Sequence, residues 1–354
     1  MTAIIASADL ARELGIPTAA VELTRDADLI DLHLEAFITH RLFGYDILAR
    51  HRPDVLGGRF FGHLDVPRLR DGGVAGGMWS ITTNPFRPRP ARWRVFEDNV
   101  RRLQAIVDRS GGSLRFARSV AEYREVRAAG AHACFLSIQG ADALAAAPSG
   151  VASVPGGLLV RVTLVHLTSS LYGTTSSPLS RLRRDHHLTT AGKDLVRDLN
   201  ANRVFVDLAH LHPAGFWDAV AVHDKSQPLV VTHTGIAGVC KSWRNIDDRQ
   251  IKAVADSGGT IGIIFQMPFL AAAGHPTDGR IVLDHMEHII KVAGEDFVSV
   301  GSDYDGVVVP PPGLTSAHQY PRLVAWMLER RWSEARIKKI LGGNFLRALG
   351  MLRP

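Results

Sequence analysis

Apolar residues recur along this chain in short, dense runs separated by longer stretches of helical periodicity. Eight runs read as strands: Asp28–His33, Val74–Thr82, His132–Ile138, Leu158–His166, Arg203–Leu208, Pro228–Thr232, Thr260–Gln266 and Phe297–Gly301. Several are nearly continuous in Val, Ile and Leu, as strands covered on both faces must be. Helical segments fall between them at Trp93–Arg109, Ser119–Ala129, Thr189–Asn200, Pro213–His223, Asp247–Ser257, Leu283–Ala293 and Ser333–Leu341. Thr189 is a natural N-cap, Pro213 suits a first turn, and the acidic start at Asp247 suits the helix dipole. Strands alternating with helices predict a parallel sheet, and eight of them predict closure into an α/β, TIM-type (β/α)8 barrel. An open doubly wound sheet is the alternative. No linker or low-complexity segment divides the chain. The expectation is an N-terminal arm over residues 1–27 and a single barrel domain over 28–354.

Composition adds boundaries. Of 354 residues, 46% are hydrophobic, enough for a large buried core. The 41 basic and 35 acidic residues leave a net charge of +6, spread along the chain. The densest basic stretch, Arg87–Arg94, reads as a solvated loop and helix start rather than a nucleic-acid surface. Two cysteines, Cys134 and Cys240, give neither a disulfide framework nor a sulfur-rich metal site. With no signal-like start and no apolar run of about 18 residues, no membrane partner is expected and a cytoplasmic location follows by default.

Candidate chemistry gathers at the C-terminal edges of the strand runs, the face where barrel active sites are built. The first run ends in His33-Leu34-Glu35, the third in Gln139, the fourth in His166, the fifth in His210, the sixth in His233 and the eighth in Asp303. His33 and Glu35, two apart on a strand, point to one side. Imidazole and carboxylate are good ligands for zinc, and a few of them around an open position leave room for an activated water. A lone histidine at a strand end is ordinarily structural; four at corresponding ends beside Asp303 point to a site. Asp305 reads as a loop-orienting residue, His186 and His187 as solvated, and His212 as a helix start.

These stretches resemble the renal or membrane dipeptidase family, peptidase family M19 of the amidohydrolase superfamily. The resemblance runs from about Ile30 to Leu349. It is carried by Leu64–Val74, Val162-Thr163-Leu164-Val165-His166, Val206-Asp207-Leu208-Ala209-His210, Thr232-His233-Thr234, Trp243-Arg244-Asn245, Gly301–Gly306 and Gly342-Gly343-Asn344. It implies a distorted barrel holding two zinc ions bridged by hydroxide, acting on dipeptides that often carry a D-residue at the C-terminal side. By motif match His33 would bind the first metal, and His210 and His233 the second. Asp303 would help hold the first metal and shuttle a proton. His166 would stabilise the oxyanion, and Arg244 would clamp the substrate carboxylate. A homodimer is also implied.

Two positions depart from the family pattern. Its His-x-Asp motif is His33-Leu34-Glu35 here, and its bridging Glu is Gln139. Two divalent ions about 3.5 Å apart repel by roughly 19 kcal/mol at an effective dielectric of about 20. Bridging anions must offset that, so losing one predicts a single firmly bound zinc ion. His33, Glu35, His210 and Asp303 could hold it, with His233 left as base or oxyanion donor; single-metal amidohydrolases such as adenosine deaminase use similar strand positions. Three functions are in play: a metal-dependent hydrolase of a small dipeptide or amide, a relative acting on another metabolite, and an inactive barrel used for binding. The loops Asn84–Arg92, Ser169–His187 and Gln266–Arg280 are the expected specificity walls, with Pro310–Pro312 stiffening the rim.

Overall fold

The computed structural model describes residues 4–52, 59–84, 86–274 and 277–354. Nine strands lie among them: β1 (Leu29–Leu34), β2 (Val74–Thr82), β3 (Leu114–Phe116), β4 (His132–Gln139), β5 (Leu159–Thr163), β6 (Phe205–Asp207), β7 (Val230–Thr234), β8 (Thr260–Ile263) and β9 (Val298–Val300). They form one all-parallel sheet in the order β2-β1-β9-β8-β7-β6-β5-β4-β3, and β2 also pairs with β4. That last pairing closes an eight-stranded barrel. The eight expected strands are the eight staves. The unexpected β3 is a three-residue addition whose Leu114 meets His132 at the start of β4, while β5 joins β4 only from Leu136 onward.

Most crossovers carry a helix: Arg89–Arg109, Val120–Ala128, Thr190–Ala201, Pro213–Val222, Asp248–Asp256 and Ile281–Ala293. Their starts are specified locally. The Thr189 side chain accepts from the Gly192 N–H, and Asp247 and Gln250 form a reciprocal capping box. His212 caps the helix from Pro213 by accepting from the Ala214 N–H. Between β4 and β5 the chain uses only short 3₁₀ turns. Helices Ser7–Leu14 and Thr18–Asp26 pack together through Leu10, Ala11, Leu14 and Val21. The helix expected over Ser333–Leu341 divides into a helix over Glu334–Lys338 and a π turn over Lys339–Gly343, and an unexpected helix over Asn344–Leu352 follows. The π turn brings Gly342 so close to the barrel that a Cβ there would lie 1.6 Å from the Asp28 carbonyl oxygen.

The barrel interior is layered. Side chains two apart on a strand share a face, so Ala133, Phe135, Ser137 and Gln139 of β4 all line it. The lower layer is apolar: Met78, Ala133, Phe135, Phe205 and Val230 cluster with Phe345 and Leu349 of the last helix. Phe345 stacks edge-on against Phe135 at 5.2 Å. Asn344 ties that helix to the sheet by donating to the carbonyls of Glu295 and Val298. Above the plug the interior turns polar, with Ser80, Ser137, Arg161, Thr163 and Asp207 all buried. The upper layer is the cup of residues described below. Cys134 is buried in the apolar core, as expected.

His132 on β4 makes a testable contribution to this packing. Its Nε2 accepts from the Trp79 indole at 3.0 Å, and its Nδ1–H donates to the Val74 carbonyl at 2.9 Å. Burial holds its pKa down to about 4, against 6.5 in the open chain. The folded pKa is depressed, so the stability present above pH 6.5 is lost as the pH falls toward 4. Between pH 7 and 4.5 the wild-type chain should lose on the order of 2 kcal/mol that an H132Q variant does not lose. Denaturant titrations followed by tryptophan fluorescence at the two pH values measure it; equal slopes would remove His132 from the acid response.

Candidate metal centre

At the C-terminal mouth of the barrel the strand ends deliver His33, Glu35, Gln139, His210, His233 and Asp303 into one cup, all of them buried. Ligand atoms of His33, His233 and Asp303 lie within 4.8 Å of one another. The His33 and His233 rings stack at 3.8 Å, and the Nε2 atoms of His210 and His233 approach to 2.8 Å. His233 thus stands between the other two histidines, close to the ligand cluster rather than set apart from it. His33 Nε2 lies 3.2 Å from Glu35 Oε1 and 3.5 Å from Asp303 Oδ1. Gln139 places its amide nitrogen 3.0 Å from His210 Nε2 and 3.3 Å from His233 Nε2.

Two of these residues have the unusual backbone that functional sites carry. His210 (φ 64°) and Asp303 (φ 62°) occupy the left-handed region, which costs a non-glycine residue of order 1 kcal/mol or more. Local pairing holds both there. Asp303 N–H donates to the His33 carbonyl, and the His210 carbonyl accepts from Ser176 N–H at 2.7 Å. Asp31, two residues before His33, accepts from the N–H groups of His33 and Ser302 and from the Tyr320 hydroxyl, locking β1 to the loop after β9. Asp305 orients the next turn: Oδ1 accepts from His63 N–H at 2.7 Å, while its own N–H donates to His63 Nδ1.

Burial sets the protonation of the cup. Glu35 is pushed up to about 7 by desolvation, against the pull of the Thr82 hydroxyl and Arg161. Desolvation also raises the Asp303 carboxyl well above its ordinary range; Glu35 adds to this and Arg244 opposes it. His33, His210 and His233 are all held well below 6.5, chiefly by desolvation, so each is a neutral imidazole at pH 7. His166 sits at the rim, 4.8 Å edge-on from His210, and burial followed by Arg244 and Arg161 lowers it to about 4. Arg244 is buried; one terminal nitrogen donates to the His233 carbonyl, and its Nε has no partner.

The cup's two sides differ as hosts for a divalent ion. His233 is built like a ligand: its Nδ1–H donates to Thr232 Oγ1 at 2.9 Å, and that hydroxyl donates to Asp207. Such support fixes the tautomer that turns the Nε2 lone pair toward a metal. His210 Nε2, 2.8 Å from His233 Nε2, is at hydrogen-bond distance as the donor to that lone pair, while its own Nδ1 is buried without a partner; a divalent ion in front of both rings would take the place of that proton. Glu35 Oε2 is likewise buried without a partner. The His210–His233 side therefore fits an ion. On the other side, His33 Nδ1 faces Arg161 Nη2 at 2.8 Å, a donor where a ligand histidine needs an acceptor.

Arg161 is a buried neighbour of the cup that sequence reasoning missed. It was visible as a single charge inside the apolar run Leu158–Val165. Arg161 is fully buried below the cup, donating to His33 Nδ1, Ser80, Thr163, the Ile138 carbonyl and Gln139 Oε1, with Asp207 at 3.4 Å. Other expectations concern the surroundings. His187 is exposed and pairs with Asp218, while His186 is only part-exposed and packs on His212. A small cavity lined by Thr83, Gln139, Asp142, His166 and Ser170 reaches the cup. A larger cavity, about 1370 Å³, lies instead beside Met267, Leu270, Ala273 and Asp284 and includes no cup residue. Of the expected wall loops, residues 85, 275 and 276 lie outside the described residues.

A closed parallel barrel with imidazoles and carboxylates converging at its C-terminal mouth defines a metallo-hydrolase fold. The profile of the membrane dipeptidase family (peptidase family M19) matches residues 18–353, so the chain belongs to that family. A solved metallopeptidase of the same family, the dipeptidase AC, superposes with a TM-score of 0.78 at 26% identity, covering 91% of this chain and 98% of that one. A metallopeptidase from Rhodobacter sphaeroides, solved with a phosphinate mimic of the dipeptide L-Ala-D-Ala, matches with the same TM-score and coverage at 25% identity. A Klebsiella pneumoniae protein described as an uncharacterized protein in the pqqA 5′ region is 35% identical over 165 residues, or 46% of this chain and 60% of that protein. No helix among the described residues is long and apolar enough to cross a membrane.

Proposed function

We propose that this chain is a hydrolase of a small dipeptide or amide that works with one divalent ion, zinc by the chemistry of its donors. The observation that carries the reading is the pair of neutral Nε2 atoms of His210 and His233 at 2.8 Å, flanked by Asp303 in the same ligand cluster as His233. His210 and His233 would hold the ion, with Asp303 as a further donor. Bound there, the ion supplies Lewis-acid activation of a water and of the scissile carbonyl. Asp303 takes the proton from the attacking water and returns it to the leaving amine, a role suited to a buried carboxylate beside His33 and His233 at the open side of the cup. His166, neutral at pH 7, donates a hydrogen bond to the developing oxyanion. The unpartnered Nε of Arg244 meets the substrate carboxylate. Glu35 stays beside His33 and Thr82.

The altered cup, with Gln139 beside Arg161, also favours a second reading: a family member acting on a carbonyl compound other than a peptide. One panel separates them. Zinc-loaded protein is assayed on L,L- and L,D-dipeptides, and the expected result is turnover that chelator abolishes and zinc restores. The phosphinate dipeptide mimic should inhibit it. Firm zinc binding with no dipeptide turned over would favour the second reading, and failure to bind metal would leave only a binding role.

A further inference from the structure

We infer that the Arg161 guanidinium is a built-in cation that takes the electrostatic place of one of the family's two metal ions, and that it does so by fixing His33 as a hydrogen-bond donor rather than a ligand. The inference rests on reading the cup as a metal centre, and it assigns a positioning role to a residue that touches no substrate.

Arginine has five N–H groups and no acceptor, so the 2.8 Å contact from its Nη2 to His33 Nδ1 allows only one arrangement. Nδ1 accepts. The ring's proton is then on Nε2, where the neighbours are the oxygens of Glu35 at 3.2 Å and Asp303 at 3.5 Å. A metal-bound imidazole has the reverse polarity, with its lone pair toward the ion and its N–H toward an acceptor. His233 shows that polarity in the same cup, through Thr232 and Asp207. The two stacked rings therefore present opposite faces to the site: His233 a lone pair, His33 a proton.

The surroundings of Arg161 show that it is held in place. Ser80 accepts from Nη2 at 2.7 Å, the Ile138 carbonyl and Gln139 Oε1 accept from Nη1 at 3.1 and 3.3 Å, and Thr163 accepts as well. In-register pairing across the barrel sets this up, with Ser137 opposite Arg161 on β4 and Thr163 opposite Asp207 on β6. Gln139 gains a second explanation. Its amide oxygen faces Arg161 and its nitrogen faces His210 and His233, so a neutral side chain bridges a fixed cation and the ligand pair. A glutamate there would pair with Arg161 before it could bridge two metals.

The experiment measures zinc per chain by mass spectrometry after saturation and desalting. It also reads the His33 tautomer by long-range ¹H–¹⁵N NMR on histidine-labelled, metal-free protein, assigned with H33N. Wild type is expected to retain one equivalent, Q139E to remain at one, and Q139E/R161M to rise to two. His33 should carry its proton on Nε2 in wild type and R161K, and shift toward Nδ1–H in R161M. Two equivalents in wild type or in Q139E would overturn the inference, as would an Nδ1–H His33 in wild type. If the R161M chains do not fold, the wild-type tautomer and the wild-type and Q139E counts still decide it. A wild type that takes no zinc but shows Nε2–H His33 would sink the metal-centre reading, and the stand-in role with it, while leaving Arg161 as the group that sets His33.

Discussion

An Asp303→Asn chain is expected to lose about a thousandfold in kcat on whichever dipeptide the wild type turns over best, the middle of the range for removing a positioned acid–base group. Asparagine matches the carboxylate in size and can still meet His33, so the cup should keep its shape. What it cannot do is accept a proton from water and deliver it to a leaving amine. The left-handed backbone at this position also tolerates asparagine well, so the replacement adds little strain. The control is a melting curve and a zinc count on the same preparation, to separate lost proton transfer from lost metal. A kcat reduced less than tenfold, with zinc retained, would take Asp303 out of the proton pathway and move that role to Glu35 or His233.

The fold was legible because parallel strands covered on both faces must be apolar nearly throughout, and eight such runs stand out. β3 was not, since three residues including the exposed Arg115 offer no period to read. The last helix could have been seen: Phe345, Ala348, Leu349 and Leu352 fall at helical spacing and are buried. Its role as the barrel's plug could not, because that depends on where Phe135 and Phe205 point.

The cup was legible residue by residue, through its place at strand ends, but its internal order was not. Which histidine neighbours which depends on barrel stagger, a property of the closed sheet that no local spacing encodes. The same holds for Arg161. Strand alternation puts it on one face with Thr163, yet only the register of three strands shows that this face looks at His33 and Gln139. In the sequence Gln139 alone accounts for a weakened second ion, because nothing there places a cation beneath it.

Replacing Arg244 by Met should raise KM about a hundredfold for a dipeptide with a free C-terminal carboxylate, and far less for the same peptide capped as an amide. Removing one partner of a buried, hydrogen-bonded charge pair costs about 2–5 kcal/mol, and 1.4 kcal/mol is tenfold. Arg244 is 3% exposed, and its Nε is unpartnered beside the cup, so little solvent competes for the substrate's charge. The second consequence is electrostatic. Arg244 opposes the upward shift of the Asp303 carboxyl, so its loss moves that group further up and shifts the acid limb of the kcat profile to higher pH. A purely structural arginine, holding only the His233 carbonyl, would weaken capped and uncapped substrates alike. Comparing the two substrates on the two proteins isolates the carboxylate contact, and equal losses on both would mean that Arg244 supports the cup without touching the ligand.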